Sequence, residues 1–307
     1  MKKGRASRTA EHNALFRALE AARPPGRRVA DDDLARHFLR PSLALAVALS
    51  RLPGLRDFVP AYIDRRWPGT RTALIARTRW IDEAIAECLR DPFEQAVILG
   101  AGFDSRALRL GVLRSLPVFE VDHPDTQTAK RAALARAFSS LPENVRFVAT
   151  DFARGELDAA MAAAGYRESA RSFFLWEGTT NYLTEDAVDT TLRWCARTPP
   201  GSTLLFTYIH CDALARPEAF TGSAALFAYL ERVGERFTFG IDPAQLADFL
   251  ARRGLELVRD VGVAELRERA YGAAAKRMHG HEFYRVALAR VVAASDARAA
   301  RGEAVRT

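Results

Sequence analysis

The spacing of hydrophobic positions changes once along the chain, near residue 95. Before this point the pattern is helical and is interrupted by prolines, which is typical of short helices joined by tight turns. A longer helix is predicted over 73–90, with an apolar stripe at helical spacing formed by Ile81, Ile85, Cys88 and Leu89. Arg77 lies one turn earlier on this stripe, whereas Arg79 faces the other side. Because an unpaired buried charge is costly, Arg77 is expected to have a partner.

After residue 95, short apolar runs alternate with helical segments, which predicts a parallel sheet covered by helices on both faces. Seven strands are predicted: Gln95–Leu99, Val118–Val121, Arg146–Ala149, Ser172–Trp176, Thr203–Tyr208, Leu255–Asp260 and Phe283–Val291. The stretch His210–Gly240 is too long for an ordinary loop and is rich in Ala, Phe and Leu. We interpret it as a helical lid.

These patterns divide the chain into three segments. Residues 1–72 are predicted to form an N-terminal helical cap. Residues 73–293 are predicted to form an α/β domain that contains the lid at about 210–240. Residues 294–307 are rich in Ala and Arg and are expected to be a disordered tail.

The charge of the chain is concentrated at its ends. With 307 residues, 49% of them hydrophobic, the chain can bury a large core, which excludes a peptide hormone or a wholly disordered protein. The formal net charge is +7, but residues 1–28 carry eight Lys or Arg against two Asp or Glu, and residues 285–307 carry five against two. The body between them is slightly acidic, so we expect no nucleic-acid partner.

Cysteine usage and apolar run length give the expected compartment. The three cysteines include no C-x-x-C pair, which disfavours disulfides and a zinc cluster and indicates a cytoplasmic protein. His279-Gly280-His281-Glu282 lacks further obvious ligands, so it is interpreted as a turn and no metal is predicted. The longest apolar run lies within Leu43–Leu49 and is shorter than the ~20 residues that a membrane span needs. No signal peptide is predicted either. We therefore expect no membrane partner. The pattern does not indicate an oligomeric state.

The first predicted strand runs directly into a glycine turn, Gly100-Ala101-Gly102, and then into a helix. Nucleotides bind at such turns in doubly wound folds. Asp122 ends the second strand 20 residues after Gly102, the interval expected for an acid that holds ribose hydroxyls. The alternative is a plain tight turn with a surface acid.

The residues after the turn bear on which nucleotide binds. Ser105 stands where dinucleotide folds have a third glycine, and Asp104 would lie unfavourably beside a pyrophosphate. S-adenosylmethionine has no phosphate, and a buried cation such as Arg77 suits its carboxylate. Asp151 and Phe152, after the third strand, could bind its adenine, although a helix N-cap with a core phenylalanine explains them equally well.

Three segments together resemble the signatures of the leucine carboxyl methyltransferase family and its bacterial branch of S-adenosylmethionine-dependent methyltransferases: Leu99–Leu110, Phe119–Pro124 and Trp176–Leu183. Ser7–Glu11 and Arg77–Asp82 also resemble that branch. The resemblance implies an α/β class I methyltransferase fold, a Rossmann-like, seven-stranded, mostly parallel sheet with a helical cap and a helical lid. It also implies S-adenosyl-L-methionine as the cofactor. The residues it assigns to the cofactor are Arg77 at the carboxylate, Gly100 at the methionine end, Asp122 at the ribose, and Asp151 and Phe152 at the adenine. The resemblance places Glu177, after the fourth strand, beside the cofactor, and Gly102 of the glycine turn is also a candidate cofactor-binding residue.

The predicted function is therefore methyl transfer from S-adenosylmethionine to an oxygen, a carboxylate or a hydroxyl, of a small-molecule acceptor. The choice of oxygen follows from the resemblance alone, and the stretch Thr179–Leu183 is more polar than is usual in the family, which leaves the acceptor open. Candidate catalytic residues follow the fourth and fifth strands: Tyr182, Tyr208 and His210. His210 is the candidate base, with a lid-anchoring histidine as the alternative. A catalytically degenerate sensor or scaffold is the second hypothesis, and a nicotinamide-dependent oxidoreductase is the less favoured third.

Overall fold

The structure, a computed structural model, describes residues 8–151 and 156–293. Phe152 and the predicted tail at 294–307 lie outside the described residues. The helices of the described part are α1 (Arg8–Ala21), α2 (Pro41–Leu49), α3 (Phe58–Arg66), α4 (Thr70–Cys88), α5 (Arg106–Arg109), α6 (Pro124–Ala137), α7 (Leu157–Ala163), α8 (Glu185–Cys195), α9 (Asp212–Ala215), α10 (Ser223–Val233), α11 (Leu246–Ala251) and α12 (Val263–Tyr271). The strands are β1 (Gln95–Leu99), β2 (Val118–Asp122), β3 (Val145–Ala149), β4 (Ser172–Trp176), β5 (Thr203–Ile209), β6 (Leu255–Gly262) and β7 (Tyr284–Val291).

The seven strands form one sheet in the order β3-β2-β1-β4-β5-β7-β6. The first five strands are parallel, and β7 runs antiparallel between β5 and β6. The strand boundaries differ from the predicted ones by at most two residues. The predicted seven-stranded, mostly parallel α/β sheet is therefore confirmed.

The central strands are apolar on both faces because helices cover both. Every residue of β1, β4 and β5 is buried, as expected for a doubly covered parallel sheet. On one face Ala96 and Ile98 pack with residues of α4 and α12. On the other face Val97 and Leu99 pack with residues of α7, α8 and α11.

The N-terminal helices cover the start of the chain segment that follows β1. Leu15 and Leu19 of α1 share a buried cluster with Ile75 of α4 and with Phe103. The ring of Phe103 stacks on Phe38, with 5.2 Å between the ring centroids. This packing holds the first turns of α1 close to the glycine turn after β1.

The stretch interpreted as a lid contains two helices, α9 and α10, which pack on the end of β5. Leu230 of α10 and Phe237 form a buried cluster with Ile209 and Phe283. In the described part of the chain, no helix combines the length and the apolar character that crossing a membrane requires.

Candidate active site

The sheet order places the predicted site residues at one edge. Strand β1 has β2 as its neighbour on one side and β4 on the other, so the connections after β1 and after β4 diverge. A crevice opens between such connections at the carboxyl ends of the strands. Gly100 follows β1, Asp122 ends β2 and Glu177 follows β4. The three residues therefore meet at the position where such sheets bind ligands.

The glycine turn and the acid of β2 are in direct contact. Gly100 has φ 64° and Gly102 has φ 46°, the left-handed region that favours glycine. A Cβ on Gly100 would lie 2.1 Å from Thr179 Oγ1, so the backbone has room for no side chain there. The carboxylate of Asp122 accepts hydrogen bonds from the backbone N–H groups of Gly102 and His123. Burial raises the pKa of Asp122, although these two hydrogen bonds act in the opposite direction.

The partner of Arg77 is Glu177. Arg77 lies on α4, is 6% exposed, and donates from Nε to Glu177 Oε1 at 2.7 Å. Its guanidinium carbon also lies 5.5 Å from the centroid of the Tyr284 ring. The expected requirement for a partner is met by a carboxylate 100 positions later in the chain.

A second buried cation, Arg106, lies behind this pair. It is 3% exposed and contacts three carboxylates: those of Asp82 at 2.7 Å, Asp104, and Glu177 at 2.6 Å. Burial opposes the ionisation of Asp104, but Arg106, together with Lys130 and Arg17, more than offsets burial and lowers the pKa of Asp104 to about 2. For Glu177 too, burial opposes ionisation, and the two arginines more than offset it, so its pKa is lowered. Both acids are therefore ionised at neutral pH.

Arg106 was not identified from the sequence. Its three carboxylates belong to α4, to the glycine turn and to the segment after β4, so no local spacing connects them. The one available signal was an arginine directly after Asp104 and Ser105 at the start of a helix.

The segment after β4 is fixed to the neighbouring strand β5. Gly178 N donates to Thr207 Oγ1 at 2.7 Å, and Thr180 Oγ1 donates to the carbonyl of Thr207 at 2.6 Å. These bonds hold Thr179 against Gly100 and direct Tyr182 toward Phe237. The ring of Tyr182 packs edge-on against Phe237, with 4.9 Å between centroids.

Helix α1 and the segment around α10 meet beside the glycine turn. Thr9 Oγ1 donates to a carboxylate oxygen of Glu235, and the hydroxyl of Tyr229 lies 3.1 Å from His12 Nδ1. The methyl group of Ala10 lies 3.7 Å from the position of a Cβ on Gly102. The first turns of α1 thus cover the glycine turn and contact the segment around α10.

Of the three catalytic candidates, the structure brings Tyr182 to the site. Tyr182 interacts electrostatically with Arg77 and Tyr284, and burial raises its pKa well above the ordinary value. Tyr208 instead donates to Asp260 Oδ2 at 3.0 Å and accepts from Arg285 Nε, on strands β6 and β7. His210 Nδ1 accepts from the backbone N–H of Asp212 at 3.1 Å, and the His210 ring packs on Phe220 at 5.7 Å.

Two further predictions concern the adenine end and metals. Asp151 follows β3 and is partly exposed, and the preceding Thr150 donates its N–H to the carbonyl of Asp122. Possible ligand atoms of His210, Cys211 and Asp212 lie within 4.8 Å of one another. His210 Nδ1 already accepts a backbone hydrogen bond, and we assign no metal to this group.

The sequence profile described as leucine carboxyl methyltransferase matches residues 10–196, more than half of the chain. The chain belongs to the leucine carboxyl methyltransferase family. The resemblance found in the three sequence signatures is confirmed.

Similar proteins include one from Mycolicibacterium vanbaalenii, 38% identical over 136 residues, and one from Rhodococcus jostii, 35% identical over 176 residues. Both are named "Putative S-adenosyl-L-methionine-dependent methyltransferase", which agrees with the predicted cofactor. The alignments cover 43% and 57% of this chain and 44% and 56% of those proteins. The chain thus spans about half the length of these family relatives.

Solved structures show the same fold. A methyltransferase-like protein from Thermobifida fusca aligns with a TM-score of 0.56 at 18% identity, covering 91% of this chain and 94% of that one. A DUF574 family protein from Streptomyces avermitilis aligns with a TM-score of 0.55 at 17% identity, covering 90% and 96%. At these identities the similarity concerns the fold alone.

Proposed function

We propose that this protein is an S-adenosyl-L-methionine-dependent methyltransferase that transfers a methyl group to an oxygen of a small-molecule acceptor, either a carboxylate or a hydroxyl. The observation that carries the proposal is the buried Arg77–Glu177 pair beside the glycine turn, at the sheet edge where Asp122 ends β2. Membership of the leucine carboxyl methyltransferase family supports the same reaction class.

The charged groups of the site match the two ends of the cofactor. The amino-acid end of S-adenosylmethionine carries a carboxylate and an ammonium, which complement the guanidinium of Arg77 and the carboxylate of Glu177. The carboxylate of Asp122 would accept hydrogen bonds from the ribose hydroxyls. Asp151 would lie at the adenine end. The residues present therefore fit the group.

Arg106 distinguishes this site from a dinucleotide site. Asp104 follows the glycine turn, contacts Arg106 and has a lowered pKa, so it is ionised. A fixed negative charge at this place repels a pyrophosphate but tolerates a cationic sulfonium. This contact argues against the nicotinamide-dependent oxidoreductase.

The bound cofactor would supply an activated methyl group on a sulfonium. The protein then has to hold the acceptor oxygen in line with that methyl group and exclude water. An aromatic wall is formed by Tyr182, Phe237 and Tyr284. The ring centroids of Tyr182 and Phe237 are 4.9 Å apart, and those of Phe237 and Tyr284 are 6.2 Å apart. Arg77 lies against the ring of Tyr284. Because α1 and the segment around α10 meet above this wall, we infer a small, flat acceptor.

Tyr182 is assigned a positioning role in this proposal. Its hydroxyl stays protonated at neutral pH, because burial raises its pKa well above the ordinary value. It can therefore donate a hydrogen bond to an acceptor oxygen but cannot act as a base. A carboxylate acceptor is already ionised at neutral pH and needs no base.

The test uses S-adenosylmethionine labelled in its methyl group and a panel of small aromatic carboxylates and phenols. We expect label transfer to one class of acceptor, with an equal amount of S-adenosylhomocysteine formed. Label that alkali releases as methanol identifies a methyl ester, and alkali-stable label identifies an ether. Tight cofactor binding without transfer to either class would favour the sensor or scaffold, and transfer to nitrogen or carbon would contradict the proposed acceptor atom.

A further inference from the structure

The exposed hydrophobic side chains of the protein are concentrated in one segment. Eight large hydrophobic side chains are exposed among the described residues, and six of them lie between residues 45 and 62. We call these six the apolar ridge: Leu45 (60% exposed), Leu49 (41%), Leu52 (50%), Leu55 (43%), Phe58 (69%) and Tyr62 (61%). Scattered exposed hydrophobic residues are ordinary, whereas a contiguous group marks an interaction surface.

Helix α2 shows that the ridge is not an ordinary protein surface. Its nine residues include no charged side chain, and among them Val47 alone is buried. A helix that is apolar all round is normally buried on all sides. Neighbouring helices cover only the side of α2 that carries Val47, so its remaining apolar surface lacks a cover in the described chain.

The six residues form a row along the backbone, each three or four positions after the one before it. Leu52 N donates to the carbonyl of Leu49 at 3.0 Å, Leu55 N to that of Leu52 at 3.2 Å, and Phe58 N to that of Leu55 at 3.2 Å. Each such turn brings the Cα atoms of its first and fourth residues within about 7 Å. Leu45 lies one helical turn before Leu49, and Tyr62 one turn after Phe58, so each extends the row on the same helix face.

The row is accompanied by positive charge. Residues 40–66 contain five arginines and two aspartates, and the carboxylate of Asp64 is bound by Arg71 at 2.6 Å. Arg65 and Arg66, at the end of α3, are exposed. Arg51, between Leu49 and Leu52, is also exposed and lies 3.5 Å from a carboxylate oxygen of Asp33. A ridge of leucine and aromatic side chains with arginines beside it matches the composition of segments that lie in the interface of anionic membranes.

We propose that the apolar ridge docks on an anionic lipid surface, with its leucines and Phe58 entering the acyl boundary and the arginines at the lipid phosphates. A second copy of the chain fits less well, because a two-fold contact through the ridge would bring the arginines of both copies together. The expectation of no membrane partner rested on the length of apolar runs and so concerned membrane-spanning helices, whereas the ridge would lie on the membrane surface. Docking on lipid does not depend on the proposed reaction.

The test is cosedimentation of the whole protein with vesicles of phosphatidylcholine alone or of phosphatidylcholine mixed with phosphatidylglycerol. We expect at least tenfold stronger binding to the mixed vesicles, decreasing with salt, since each arginine near such a surface contributes roughly a factor of five. The double substitution Leu52→Ser with Phe58→Ser should weaken binding by about tenfold or more. The control is Val112→Ser with Val258→Ser, which changes the two exposed hydrophobic side chains outside the ridge and should leave binding unchanged.

A second pair of variants tests the charges. Arg65→Gln with Arg66→Gln should weaken binding to the mixed vesicles, whereas Arg90→Gln with Arg114→Gln, at exposed arginines elsewhere, should change it by less than about twofold. Absence of vesicle binding at low salt, or equal losses in the ridge and control variants, would overturn the proposal. So would a dimer, detected by light scattering, that binds no vesicles and becomes monomeric in the Leu52→Ser, Phe58→Ser variant.

Discussion

Arg106 is predicted to be the residue on which the integrity of the site most depends. Its side chain is 3% exposed and contacts three carboxylates, one of which, Glu177, also bonds Arg77. Arg106→Met keeps the volume but leaves Asp82, Asp104 and Glu177 without their shared cation. Removing one partner of a buried ionic group costs about 3–5 kcal/mol, so we expect a loss of stability in this range.

The loss should depend on pH in a defined direction. Asp104 has its pKa lowered from 3.8 to about 2 in the folded protein, so its stabilising contribution is complete above pH 4 and is lost as pH falls toward 2. In Arg106→Met, burial acts on Asp104 without Arg106 and on Glu177 with Arg77 as its remaining bonded cation, so the pKa values of both acids rise. Their destabilising effect then grows as pH rises. The stability difference between the natural protein and the variant should therefore be larger at pH 7 than at pH 5.

Urea denaturation measures this difference, with Arg79→Met as the matched control. Arg79 lies on the exposed side of α4, where it pairs with Glu83 at 2.7 Å, and its loss should cost less than about 1 kcal/mol. Arg106→Lys should retain part of the stability, because a single ammonium cannot reach all three acids. A loss of stability in Arg106→Met no greater than in Arg79→Met, or a stability difference independent of pH, would show that Arg106 does not hold these acids.

Three further predictions concern other residues of the site and core. Asp122→Asn should weaken S-adenosylmethionine binding by about 10–100-fold, measured by calorimetry, because it removes a charge-assisted hydrogen bond; unchanged affinity would contradict the placement of the ribose. Gly100→Ala should lower stability by about 1–3 kcal/mol, because φ is 64° and the new Cβ would meet Thr179 Oγ1. Adding Thr179→Ala should restore part of the lost stability, which thermal denaturation measures. Burial raises the pKa of Cys88 to about 11 and raises that of Cys195 further. Neither thiol should therefore be alkylated by iodoacetamide at pH 7 in the folded protein. Fast labelling of either cysteine would show that its side chain is not buried as described.

The sheet could be predicted from the sequence because its signals are local. Each strand is a short apolar run, and the interval between Gly102 and Asp122 follows from one strand, one connection and the next strand. Arg77 could be predicted to need a partner, but Glu177 could be named only through the family resemblance, since the two are 100 positions apart. Contacts between distant segments produce no periodic pattern in the sequence.

For residues near the carboxyl ends of the strands, the direction of the side chain was harder to predict than the position of the residue in the fold. Tyr182 and Tyr208 both lie near the carboxyl ends of strands, yet Tyr208 points to the face where Asp260 and Arg285 bind its hydroxyl. That arrangement depends on β7 lying between β5 and β6, which alternation of polar and apolar residues does not determine. The apolar composition of α2 would likewise predict burial, whereas the structure exposes it.

The proposed function requires that Arg77, Asp122 and Glu177 bind S-adenosylmethionine near the carboxyl ends of β1, β2 and β4. Titration calorimetry of the purified protein with S-adenosylmethionine, S-adenosylhomocysteine and NAD measures this binding. We expect about micromolar binding of both adenosyl ligands and no binding of NAD. The affinity should be about 10–100-fold weaker in Arg77→Ala and unchanged in Arg79→Ala, two residues along the same helix. No binding of either adenosyl ligand, or equal affinity in the two variants, would contradict it.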